Sequence, residues 1–130
     1  MKQVNWDHKD EWGFLGKNFG VVVSRHVVTP HYDDRGCHRW CVYAYIYPAH
    51  WHFKHFDGDS MSQDAACALP LHVRPSYLRR HEHSVQVGAD YNHLYDTRFT
   101  HFATQDEAYE VFNDAARLIE WLGNNHEQYH

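Results

Sequence analysis

The ten residues HRWCVYAYIY at 38–47 alternate so strictly that they leave little choice of local structure. Successive side chains of a strand point to opposite faces. Trp40, Val42, Ala44 and Ile46 then share one face, and Cys41, Tyr43, Tyr45 and Tyr47 share the other. Pro48 ends the run, because proline has no amide to give to a ladder. The preceding run FGVVVSRHVV at 19–28 is β-branched and predicts a second strand. Pro30 and the Asp33-Asp34-Arg35-Gly36 cluster predict the turn between them, giving an antiparallel hairpin. LHV at 71–73 and the stretch from Ser84 to Gly88 predict later strands, the first shortened by Pro70 and Pro75. Between them lies a locally basic segment with Arg74, Arg79 and Arg80.

A different period takes over near the C-terminus. Thr104 and Glu107 have the spacing of a capping box, in which hydroxyl and carboxylate each satisfy an unpaired amide. Ala108, Phe112, Ala115, Ile119 and Leu122 recur at helical spacing, widened by Val111 and Leu118, and Gly123-Asn124 supplies a stop. A helix over about 105–122 must bury that stripe, most simply on the sheet. Strands first and one helix last predict an α+β fold, an antiparallel sheet with a C-terminal amphipathic helix on one face. With 130 residues and no linker or repeat, residues 1–130 form a single domain.

The helix then covers one face of the tyrosine-bearing strand, leaving Tyr43, Tyr45 and Tyr47 to be covered by something else. The N-terminal segment, with Trp6, Trp12 and Phe14 and with Gly13, Gly16 and Gly20 opposing any helix, is one expected cover. A partner is the other, since tyrosine offers large contact area at low entropic cost. On that reading Tyr43, Tyr45, Tyr47 and Trp51 are the partner-binding residues, and a homodimer is allowed.

Net charge is −5, from 17 acidic and 12 basic residues, which argues against direct nucleic-acid binding. No run of residues is long and apolar enough for a membrane span, and the N-terminus lacks the apolar core of a secretory leader. Three cysteines, an odd and small number, fit reduced thiols, so a cytoplasmic setting is expected and no cofactor. Fixed in one extended strand, Cys37 and Cys41 would stand about 13 Å apart, too far to share an ion.

Fourteen histidines are the compositional outlier. His50, His52 and His55 form one group, and His81 and His83 another; on a strand the latter two point the same way, as metal-ligand pairs do. Asp90, His93 and Asp96 are spaced by three and would adjoin in a helical turn, a set suited to metal binding or acid–base work. Half-buried histidines and loop-tying aspartates are the structural alternative for all three groups. As an enzyme, the chain would be a metal-dependent hydrolase or nuclease. His72, Asp90, His93 and Asp96 would be its catalytic group, with His81, His83 and His93 as metal ligands.

The segments WCVYAYIYPAHWHFKHF (40–56), LPLHVRPSY (69–77) and VGADYNHLYD (87–96) resemble a group of small uncharacterised phage and prophage proteins with an H-G-G-x-T-Y … G-x-D-x-x-H-x-x-D pattern. His72, Tyr77, Gly88, Asp90, His93 and Asp96 match it, while Val73-Arg74 replace the glycine pair and Ser76 stands in the threonine slot. The resemblance implies a phage-type accessory protein in a bacterial host cytoplasm. The leading expectation is a binding protein, not an enzyme, that occupies a host protein target, such as a CRISPR or other defence factor.

Overall fold

A computed structural model describes residues 2–6, 9–28, 36–56, 69–73, 75–91 and 97–124. Six strands, β1 (Lys2–Trp6), β2 (Lys9–Gly16), β3 (Phe19–Val27), β4 (His38–Ile46), β5 (Tyr77–Arg80) and β6 (Val85–Asp90), form one antiparallel sheet in the order β1-β2-β3-β4-β6-β5. Among the described residues one α-helix, α1 (Tyr109–Gly123), packs across β2, β3 and β4. Short 3₁₀ turns lie at Phe53–Phe56 and Arg98–His101. The predicted α+β architecture is the one observed.

The alternation in β4 does what its pattern requires. Trp40, Val42, Ala44 and Ile46 are fully buried under the helix, together with Val21 and Val23 of β3 and Val85 and Val87 of β6. The indole N–H of Trp40 donates to the Phe102 carbonyl at 2.9 Å, so its one polar atom is satisfied in the core.

Sequence and structure part in four places. The N-terminal segment does not lie over the tyrosines. It forms the β1–β2 hairpin, and Trp12 faces the helix side, stacked on Trp40 with centroids 5.5 Å apart. Glycine opposes helix but fits a strand here: β2 turns into β3 through Lys17-Asn18, where Asn18 takes the left-handed φ of 65° that asparagine tolerates. The 71–73 segment is a loop, and the strand instead comes from the basic stretch, as β5 at the sheet edge. Regular helix begins at Tyr109, one turn later than the box predicts. The box itself is present. The Glu107 amide donates to Thr104 Oγ1 at 3.2 Å, and Glu107 Oε1 reaches back to the Ala103 amide at 3.2 Å. It closes the turn ahead of the helix.

The buried helix stripe is Val111, Asp114, Ala115, Leu118 and Leu122, with Phe112 and Ile119 on its flank. One member of that stripe is a carboxylate. Asp33–Arg35 of the predicted turn, Cys67, Arg74, His93 and Asp96 lie outside the described residues.

Candidate functional site: the sheet face opposite the helix

Pairing register lines up three rows across the face opposite the helix. One row is Glu11, Ser24, Cys41 and Asp90. The next is Gly13, Val22, Tyr43, Gly88 and Tyr77. The third is Leu15, Gly20, Tyr45, Gln86 and Arg79. The glycines shape this surface. Gly88 sits between Tyr43 and Tyr77, whose rings close over it at 5.0 Å, and a Cβ there would collide with the Val42 carbonyl. Aromatic rings covering a strand glycine recover apolar contact that the missing side chain leaves vacant. Gly13, in the same row, has nothing within 4 Å of where a Cβ would stand.

The result is a shallow trough of about 610 Å³ at the β2–β3–β4 end, with Gly13, Gly20 and Val22 as its floor and Phe14, Leu15, Tyr45 and Tyr47 around it. Leu15 is 82% exposed. Phe14 also lines a second depression of about 260 Å³, together with Trp51, Phe19, His50 and the last turn of α1. Trp51 carries the Lys54 ammonium 4.0 Å from its ring centroid, a cation–π contact.

Of the four expected partner-binding residues, Tyr45 and Tyr47 line the trough and Trp51 the adjoining depression. Tyr43 is committed to Tyr77 and Gly88. Burial raises the phenol pKa of both Tyr43 and Tyr45. Leu15 was not expected here. Its signal was the β2 alternation, masked in the sequence by glycines, which puts Leu15 on this face and pairs Phe14 with Val21 on the helix side.

Among the described residues the structure does not bring the candidate catalytic and metal residues together. Asp90 takes the register position opposite Cys41 on the tyrosine face, whereas His72 packs against the helix. His93 and Asp96 fall outside the described residues. His81 lies in the β5–β6 turn, not on a strand; its Nε2 meets Gln86 Oε1 at 2.7 Å and its ring stacks on Tyr45. His83, 85% exposed, stands beside Glu82. His50 bridges two backbones. Its Nδ1 accepts from the His52 amide at 3.0 Å, so its Nε2 is the nitrogen that donates to the Leu122 carbonyl at 2.8 Å, closing the helix C-terminus. Among the described residues no group of three or more His, Cys, Asp or Glu side chains is arranged to hold a metal ion.

What the structure does assemble around His72 is a network that the spacing did not reveal. Asp114 is 0% exposed, and its Oδ2 lies 2.6 Å from His72 Nδ1 and 2.6 Å from the Tyr91 hydroxyl, which donates to it. The His72 amide at 3.2 Å and the Arg117 guanidinium at 3.1 Å complete the set. Burial, then the bond to Asp114, raises the Tyr91 phenol pKa. The network ties the 69–73 loop and the end of β6 to the helix. An aspartate within an apolar helical stripe is the sequence signal for it.

No protein-family model matches the chain, nor does any curated protein or solved structure. No helix among the described residues is long and apolar enough to cross a membrane.

Proposed function

We propose that this chain is a small phage-type accessory protein that acts by binding, occupying a host protein in a bacterial cytoplasm and inhibiting it, with a CRISPR or other defence factor as the target class. The observation that carries the binding reading is the apolar trough on the sheet face opposite the helix, lined by Val22, Tyr45, Tyr47 and Leu15, of which Leu15 is 82% exposed. An exposed contiguous apolar patch bounded by polar groups is the usual mark of a protein contact. The phage setting and the target class rest on the sequence resemblance and on small size. The net charge of −5 suits a basic target surface, such as a nucleic-acid channel, and opposite charge would speed the encounter.

The test is retention of a bacterial host protein from lysate by the immobilised chain, compared with Leu15→Asp and Trp51→Ala variants of unchanged melting temperature. The expected result is one stoichiometric partner, released by added salt and retained at least tenfold less by both variants, as loss of a buried aromatic or leucine anchor predicts. A partner that both variants hold equally, or no partner at all, overturns the proposal.

A further inference from the structure

Both ring nitrogens of His72 face carboxylates. Nδ1 lies 2.6 Å from Oδ2 of the fully buried Asp114, which fixes the ring from behind. A proton kept on Nδ1 by that carboxylate makes Nε2 the electron-pair donor of the neutral imidazole. Nε2 stands 3.6 Å from Glu110 Oε2, too far for a hydrogen bond. The other oxygen of Glu110, Oε1, accepts from the Arg98 guanidinium at 3.2 Å, so Oε2 is the one turned toward the ring. The two donors meet beside a recess of about 200 Å³ lined by His72, Glu110, Asn113 and Arg117.

We infer that this pair holds a divalent cation of the zinc type, bound by His72 Nε2 and Glu110 Oε2. An ion about 2.1 Å from each donor would see the two, 3.6 Å apart, at an angle of about 120°, close to tetrahedral. Imidazole and carboxylate are ordinary zinc donors. A metal-bound histidine also characteristically gives its other N–H to a carboxylate, which is the part Asp114 plays. Two protein donors leave the remaining positions to water in the recess or to a donor group of a bound molecule. The guanidinium groups of Arg98 and Arg117 stand nearby, bonded to Glu110 and Asp114, and their charge opposes a cation. With only two donors against that charge, binding is modest and reversible. A bound ion would pin the 69–73 loop to α1, on the helix side of the sheet and away from the trough, so the inference is independent of the docking reading.

Calorimetric titration of the untagged full chain with zinc chloride at neutral pH tests the inference. Because the chain has fourteen histidines, the reading is the difference between variants. The expected result is a site of unit stoichiometry that Glu110→Gln and His72→Gln each weaken roughly tenfold or more, since loss of even an outer partner of a metal ligand costs that much. His83→Gln, at a histidine 85% exposed, should leave it unchanged. Zinc should also raise the melting temperature of the wild type and not that of Glu110→Gln. Glu110→Gln decides the matter if His72→Gln does not fold, because it leaves the bonds to Asp114 in place. Anomalous scattering from zinc-soaked crystals should place the ion within about 2.2 Å of both donors. Absence of a unit site, equal affinity in Glu110→Gln, or zinc seated only on other histidines overturns the inference.

Discussion

Asp114 is a charged side chain buried to 0% exposure in the helix stripe. A buried carboxylate is tolerated only where donors surround it, and here Tyr91, Arg117 and both the amide and the ring of His72 do so. Removing one partner of a buried ionic set leaves the others unsatisfied, so Asp114→Ala should lower stability by about 3 kcal/mol in urea unfolding. Nearly unchanged stability would mean the network contributes nothing net. The tyrosines make a pH prediction of definite sign. Unfolded phenols titrate near 10.0, whereas burial holds Tyr43, Tyr45 and Tyr91 protonated beyond that in the fold. Above that pH the unfolded chain has lost protons that the native one retains, so this stability is fully present below pH 10.0 and falls as pH rises past it. Of nine tyrosines, these three should give their tyrosinate absorbance late, together with loss of the fold. Early titration of all nine in a still-folded chain would contradict this.

At the scale of elements, what could be read in the sequence was whatever carried an unbroken period. The β4 alternation and the helical stripe were legible because each repeats over several residues and each buries what it predicts. The β1–β2 hairpin was not, because Gly13 and Gly16 interrupt the pattern that would have marked β2, and only pairing with β3 makes it a strand. β5 was hidden for another reason: Arg79 and Arg80 read as solvated charge, which is what an edge strand can carry. The candidate surface was half legible, through Tyr45, Tyr47 and Trp51. Leu15, which also lines the trough, depended on that unread hairpin. Thr104 illustrates how a local signal can be right and yet shifted. Its hydroxyl accepts the Glu107 amide in the turn before α1, so Thr104→Ala should cost about 1 kcal/mol in thermal or urea unfolding, as capping losses do. No measurable change would show that the turn is held by its buried Ala108 alone.

For the whole molecule, the order of the elements matters as much as their packing. The helix covers β2, β3 and β4, all from the first half of the chain, yet it follows every strand in sequence. Most pairings of the sheet, β1 with β2, β2 with β3 and β3 with β4, are between neighbours and close early. Only β6 must insert between β4 and the edge strand β5. During synthesis the ribosome therefore releases a nearly complete sheet whose Val21, Val23, Trp40 and Val42 stay wet until Tyr109–Gly123 has cleared the exit tunnel. Each nascent chain passes through an interval in which its stickiest surface has no lid, and a translation stall before residue 109 would prolong it.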